Sequence, residues 1–479
     1  MSTSGSLLFE KWKKQQAAVE QMIPLIGSLY RDHGVTISFF GRRLLNNSAI
    51  DIIKAHRYAI QMVGEELEAS KSLTLTKAMI NMSLAPVQVD LGKLCYRFMR
   101  VGGDPKAFLK EPLASVNTGK GSILKEPQDI VLYGFGRIGR LLARMLIERA
   151  GSGNKMRLRA IVVRGVDKGD LRKRASLLRR DSVHGAFSGS ITVDEAENAI
   201  IANGVYIKVI YANSPSEVDY TKYDINNALV IDNTGLWRDM DELGQHTKCP
   251  GASKVILTAP GKGTVKNIVY GVNHQDIEPS DTILSAASCT TNAISPVLKA
   301  INNEFGIVSG HMETIHSYTN DQNLIDNYHK GDRRGRSAPL NMVLTSTGAA
   351  EAVTKCLPEL KGKLTGNALR VPTPNVSLAI INLNLRLEIS KDEVNNYLRK
   401  MALNSPMQDQ IDYTTSSELV SSDLVGTTHA GVVDSLATIA DGNRLVLYVW
   451  YDNEYGYSSQ VIRLMLDVVG LKKLVVPET

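Results

Sequence analysis

Ile130-Val131-Leu132-Tyr133-Gly134-Phe135-Gly136-Arg137-Ile138-Gly139-Arg140-Leu141-Leu142-Ala143 is the stretch that decides how this 479-residue chain folds. A β-branched apolar run passes through three glycines into an apolar run of helical period, which predicts a strand, a tight turn and a helix. Gly134 can make the turn, Gly136 lets backbone approach a pyrophosphate, and Gly139 lets the helix pack on the strand. Anionic oxygens would then face the partly positive helix N-terminus, between Arg137 and Ile138. In this context the turn is expected to hold a dinucleotide. The next strand runs out as Ala160-Ile161-Val162-Val163-Arg164-Gly165-Val166-Asp167. Asp167 on the adenosine ribose hydroxyls favours NAD, whereas Arg164 in that place tolerates or favours the 2′-phosphate of NADP.

Outward from this unit, short β-branched runs alternate with helical patterns: Ile130–Tyr133, Ala160–Val163, Val205–Tyr211, Ala228–Ile231 and Lys254–Leu257. The alternation predicts an α/β domain with a doubly wound, mainly parallel sheet of Rossmann type. From about Ile307 longer period-two strands appear, including Ser377–Leu387 and Arg444–Tyr451, and predict an α+β partner domain with a large mixed or antiparallel sheet. Before the glycine turn, apolar residues from Leu7 to Met99 recur at mainly helical spacing, as in Ala49, Ile52, Ile53, Ile60, Val63 and Leu67. Ser48 is placed to cap that helix ahead of Asp51. An all-helical N-terminal extension over residues 1–126 follows, ending in a connector rich in Gly, Pro, Asn, Ser and Lys.

Bulk properties narrow the function classes. The chain is 43% hydrophobic and 22% charged, ample for more than one core. No apolar run approaches the roughly 20 residues of a membrane span, and the N-terminus lacks the pattern of a secretory leader. Four cysteines, at 95, 249, 289 and 356, show no paired metal-ligand spacing, so no metal site is expected and a reducing cytoplasm fits. Residues 1–126 hold 17 Lys+Arg against 11 Asp+Glu, which leaves 38 against 38 elsewhere, so the net +6 belongs to the extension. Without a nucleic-acid motif, that excess reads as a solvated helical surface.

Ser285-Ala286-Ala287-Ser288-Cys289-Thr290-Thr291-Asn292-Ala293 puts a cysteine just before the helical Ile294–Ile301. A helix N-terminus favours the thiolate, which is the nucleophilic form. Ser288-Cys289-Thr290-Thr291-Asn292 resembles the active-site signature of glyceraldehyde-3-phosphate dehydrogenases. Further segments resemble that family in its order: Gly134–Arg140, His316–Gln322, Arg333–Arg336, Ser346–Ala350, Leu364–Gly366, Arg370–Thr373 and Trp450–Tyr457. The resemblance spans roughly residues 128 to 470 and says nothing of residues 1–126.

The resemblance implies a dinucleotide-binding domain over 127–288, a catalytic domain over 289–454, and a C-terminal helix, 455–479, packing back on the former. It also implies a homotetramer. Cys289 would attack the aldehyde to give a hemithioacetal and His316 would serve as base. Hydride would pass to NAD (NADP possible), and inorganic phosphate would cleave the resulting thioester to 1,3-bisphosphoglycerate. The Cys289 N–H and the imidazole would hold the oxyanion. Thr319, Asp321, Arg334 and Arg370 fall toward the substrate phosphate, and Ser288, Thr290, Thr347 and Gly348 toward the attacking phosphate. Asn453 would bond the nicotinamide carboxamide with Tyr457 nearby, and Thr234, Gly235 and Thr258 resemble further cofactor contacts. Two alternatives stand beside this reading: oxidation of erythrose 4-phosphate in the same architecture, and a dehydrogenase scaffold carrying a regulatory or binding N-terminal module.

Overall fold

The computed structural model describes residues 3–117, 127–150, 155–165, 169–345 and 348–477, so the expected site residues Asp167 and Thr347 lie outside the described residues. The chain divides into two units, one of Met1–Pro127 with Ala150–Lys155 and Gly470–Thr479, the other of Gln128–Arg149 with Met156–Val469.

The first unit is mostly helical, as its apolar spacing requires. Its helices are Thr3–His33, Ala49–Val63, Ala69–Ile80, Leu91–Val101 and Pro105–Lys110. Ser48 and Asp51 form a capping box at the second of them, each side chain taking the other's backbone N–H, and Gly64 closes it at φ 79°. The unit is not all-helical, however. Thr36–Phe39, Arg42–Arg43, Gln88–Asp90 and Val475–Val476 make a four-stranded sheet. Buried Asp90 locks its turn, accepting the N–H groups of Phe40 and Gly41, each at 2.9 Å, and that of Lys93 at 3.1 Å. Segments of two to four residues are too short for a period to declare itself, and the fourth strand comes from the far end of the chain.

That strand also corrects the expected C-terminal helix, which spans Tyr455–Val468 rather than 455–479. Gly470 takes φ 68°, and the residues after it belong to the first unit, where Val475 and Val476 pair in parallel with Gln88 and Val89. The helix itself packs against Arg137–Glu148 and Cys289–Phe305 within the second unit.

Two sheets build the second unit. The nine-stranded sheet runs, by position, 266–267, 283–285, 252–257, 228–232, 128–133, 156–163, 205–211, 199–202 and 191–194. Its first seven strands are parallel and the last two form an antiparallel edge. Strand Gln128–Tyr133 is the switch point, with the next strand in sequence on one side and Ala228–Asp232 on the other, and ligands of such sheets bind at the carboxyl ends there. The eight-stranded mixed sheet carries Ile307–Ser317 between Leu364–Val371 and Ser377–Leu385. Its register sets His316 opposite Arg370 and Ser377 opposite Tyr451. Helix Cys289–Phe305 buries Ile294, Val297, Leu298 and Ile301 against that sheet, which fixes where its first residue points.

Candidate active site

The glycine turn has the form its spacing predicts. Gly134 sits at φ 93°, and a Cβ on Gly139 would lie 2.5 Å from the Gly134 carbonyl oxygen, so neither position takes a side chain without strain. At Gly136, the N-cap of helix Arg137–Glu148, a Cβ would meet nothing within 4 Å. Open space at a bare helix N-terminus fits the pyrophosphate of a dinucleotide, which the residues present would hold through backbone N–H groups. Thr234 and Thr258 cluster at the neighbouring strand ends. Thr234 donates from N and Oγ1 to Asp232 Oδ1, both at 2.7 Å, and Thr258 Oγ1 donates to the Asp232 carbonyl at 3.1 Å. Gly235 turns the chain at φ 64°.

Cys289 is the first residue of its helix and half-buried, with Sγ 3.4 Å from His316 Nε2. The turn that delivers it is strained, since Ala287, a non-glycine, holds φ 54°. Tyr457 OH donates to the Ala287 carbonyl at 3.0 Å, and Asn292 Nδ2 to that of Ala286 at 2.8 Å. His316 Nδ1 lies 2.7 Å from the Ser317 carbonyl oxygen and 2.8 Å from Arg370 Nη1. One nitrogen cannot donate to the former while accepting from the latter. When Nδ1–H donates to Ser317, the Nε2 lone pair faces the sulfur.

Electrostatics correct one expectation. The helix N-terminus alone does not make Cys289 a ready thiolate. Burial pushes its thiol up, against Arg370, the Thr290 hydroxyl and backbone donors. Burial, aided by the Arg370 charge, lowers His316 to about 4. Burial thus favours the uncharged form of both partners, the thiol at Cys289 and the neutral imidazole at His316.

Arg370 Nη1 also reaches the Ser317 carbonyl at 3.0 Å and Thr319 Oγ1 at 3.3 Å. Thr319 donates to Asp321, which pairs with Arg334, and Arg334 Nη2 donates to Thr345 Oγ1 at 2.9 Å. Burial alone would raise Asp321, but Thr319, Arg370 and Arg334 outweigh it and hold the carboxyl below its usual range. Thus Thr319, Asp321, Arg334 and Arg370 form one linked cluster beside His316. Ser288 and Thr290 differ from this pattern because their hydroxyls build the turn. Ser288 Oγ caps the helix from Thr291 N at 3.0 Å, and Thr290 Oγ1 pairs with Tyr451 OH at 3.0 Å. Gly348 is the exposed N-cap of helix Ala349–Cys356.

Several supporting groups were not singled out from sequence. Ser377 Oγ donates to Asn453 Oδ1 at 2.8 Å and accepts Ser317 N–H at 3.1 Å, tying the base's strand to Asn453 and leaving the Asn453 amide N–H2 to donate elsewhere. Arg137 bonds both Glu454 and Asp181, and His184 Nε2 lies 3.1 Å from Glu454 Oε2, joining the phosphate-turn helix to the start of the last one. Buried Asp232 meets His246 Nε2 at 2.9 Å under the nucleotide turn. Glu454 lies inside the Trp450–Tyr457 segment, but its partners, like the His246 that meets Asp232, are distant in sequence and carried no signal.

Comparison with known proteins agrees with this geometry. Residues 128–240 match the pattern described as glyceraldehyde 3-phosphate dehydrogenase, NAD binding domain, and residues 288–453 that of the C-terminal domain. The chain is 60% identical over 454 residues to a glyceraldehyde-3-phosphate dehydrogenase-like protein of Pseudomonas aeruginosa, covering 94% of this chain and 98% of that one. It is 42% identical to glyceraldehyde-3-phosphate dehydrogenase 2 of Trichormus variabilis, over 70% of this chain and 96% of that protein. With glyceraldehyde-3-phosphate dehydrogenase 2 of Bacillus subtilis it shares 39% identity over 72% of this chain and 97% of the relative. At 94% of this chain, the Pseudomonas alignment extends well into the N-terminal extension. A nucleotide turn, a thiol facing an imidazole and these matches together place the chain in the glyceraldehyde-3-phosphate dehydrogenase family.

Proposed function

We propose that the protein oxidises glyceraldehyde 3-phosphate with inorganic phosphate to 1,3-bisphosphoglycerate while reducing NAD or NADP. The observation that carries this reading is the 3.4 Å approach of Cys289 Sγ to His316 Nε2. Nε2 takes the thiol proton as sulfur attacks the aldehyde carbon, and returns it to the new oxyanion to give the hemithioacetal hydroxyl. It takes that proton again as the C–H electron pair departs, leaving a thioester on Cys289. The bound nicotinamide supplies the hydride acceptor. Asn453, oriented by Ser377, would donate to its carboxamide. Attack by phosphate oxygen on the thioester carbon breaks the C–S bond, releases the acyl phosphate and regenerates the sulfur.

The substrate phosphate falls to Arg370, Thr319 and the Arg334–Asp321 pair, since guanidinium and hydroxyl donors suit that anion. The attacking phosphate falls to Gly348 at the start of helix Ala349–Cys356, together with Thr347 on the ground of the sequence motif alone. Ser288 and Thr290 serve this step by holding the turn that presents Cys289.

The proposed working form is a cytoplasmic homotetramer without a nucleic-acid or membrane partner. All four cysteines are free, and no described helix is long and apolar enough to cross a membrane. Leu324, Ile325, Tyr328, Leu340, Met342 and Leu344 are exposed within one segment, an apolar surface that self-association would cover. Sedimentation should give four subunit masses, and Leu340→Asp with Met342→Asp should lower that number.

Turnover of glyceraldehyde 3-phosphate and erythrose 4-phosphate, each with and without phosphate, tests the assignment. Phosphate-dependent acyl-phosphate formation from the triose is expected. Faster, phosphate-independent oxidation of erythrose 4-phosphate would replace it with the alternative.

A further inference from the structure

Hydride transfer needs a dinucleotide held at both ends in one geometry, and a shift of about 1 Å at the reacting centre costs about 10²-fold in rate. One side-chain pair joins the two elements that would do the holding. Arg137 is the first residue of the helix after the glycine turn, and Glu454, next to Asn453, is the N-cap of helix Tyr455–Val468. They meet fork to fork, Arg137 Nε donating to Glu454 Oε1 at 2.8 Å and Nη2 to Oε2. The third nitrogen, Nη1, donates to Asp181 Oδ2 at 2.5 Å, while Asp181 Oδ1 accepts the N–H groups of Val183 and His184, each at 2.9 Å. His184 Nε2 returns to Glu454 Oε2 at 3.1 Å, which closes the loop. Carboxylates thus engage all three nitrogens of Arg137, and the anion at the turn is left to backbone N–H groups. Burial alone would raise the Glu454 carboxyl, but Arg137 and His184 outweigh it and hold it below its usual range.

The turn that carries Asn453 is fixed on its other side as well. Asp452 Oδ1 accepts the N–H groups of Glu454 at 2.9 Å and Tyr455 at 2.7 Å, with Asn375 Nδ2 at 2.9 Å, and Ser377 holds the Asn453 side chain. Those bonds tie the turn to the eight-stranded sheet, and the Glu454 side chain ties it to the helix of the glycine turn. We infer that Glu454 is a positioning residue: clamped by Arg137, it sets the Asn453 amide at a fixed distance from the pyrophosphate turn and so holds the nicotinamide half of the cofactor in place. The inference rests on the dehydrogenase reading above and adds to it a residue that acts through Asn453.

Equilibrium binding to the full-length protein tests this without turnover. Calorimetry would compare NADH or NADPH, whichever binds the native chain more tightly, with the matching fragment that lacks nicotinamide, ADP-ribose or its 2′-phosphate. The variants are Glu454→Ala, Arg137→Lys and the isosteric Glu454→Gln, which carries the test if the truncation unfolds the protein. Glu454→Ala and Arg137→Lys should weaken the whole dinucleotide by about tenfold and leave the fragment within about twofold, with Glu454→Gln between. A role in stability alone would move both ligands together. Equal weakening of dinucleotide and fragment, or no weakening of either, would therefore overturn the inference and leave the dehydrogenase standing. A native chain that binds neither dinucleotide would instead overturn the reading on which it rests.

Discussion

His56 in the first unit and His316 in the second are both hidden from water, at 2% and 7% exposure, and burial lowers the basicity of each. Their surroundings differ in one respect. His56 spends both nitrogens on structure, Nδ1 on the Ile52 carbonyl at 2.8 Å and Nε2 on Ser72 Oγ at 2.9 Å, with its ring 4.2 Å from that of Phe39. His316 anchors Nδ1 in the same way but turns Nε2 to a half-buried sulfur at the start of a helix. Burial and a lowered pKa therefore do not mark a reactive histidine. In the proposed mechanism what marks it is a nitrogen left facing a thiol, with Arg370 alongside as the proposed partner of an anion.

The largest expected difference between the two is in turnover. His316→Ala should lower kcat by about 10²- to 10⁴-fold, the usual worth of a positioned base, while cofactor binding persists. Steady-state kinetics beside a dinucleotide titration would show whether chemistry alone is lost; an unchanged kcat would remove His316 from the mechanism.

Acid sensitivity comes next. The folded value of His316, about 4, lies below its ordinary 6.5, so between those values the unfolded chain takes up a proton that the folded chain refuses. The stability tied to this group is complete above pH 6.5 and falls as pH drops toward 4, by about 3 kcal/mol at most. Urea unfolding at stepped pH should show that loss, and His316→Gln should shrink it. A slope untouched by the substitution would contradict the assignment.

The smallest effect belongs to the other histidine. His56→Ala should leave kcat unchanged and cost about 1–3 kcal/mol, because Ser72 and the Ile52 carbonyl lose their partner in a dry interior. A change in kcat without loss of stability would erase the contrast between the two sites.

What the sequence disclosed follows the same division between local and distant. The strand, glycine turn and helix at 128–148 were legible because each step is written in adjacent residues, and so was the capping box of Ser48 and Asp51. Cys289 and His316 were legible through the motifs that surround them. The sheet of the first unit was not, since its strands are two to four residues long and one is Val475–Val476. Nor were the ties that steady the site. Arg137 with Glu454, Asp232 with His246 and Ser377 with Asn453 join residues that only the folded sheets bring together. The balance of charge at the thiol was equally hidden, because the helix N-terminus is visible in sequence while the desolvation that opposes it is a property of packing.

The proposed chemistry turns on the sulfur of Cys289, and mass spectrometry tests that directly. Protein mixed with glyceraldehyde 3-phosphate and oxidised cofactor, with phosphate left out, would be quenched in acid and digested. About one phosphoglyceryl adduct per chain is expected, confined to the peptide that carries Cys289 and discharged when phosphate is added before the quench. Turnover with that peptide unmodified, or an adduct on Cys95, Cys249 or Cys356 in its place, would contradict the assignment.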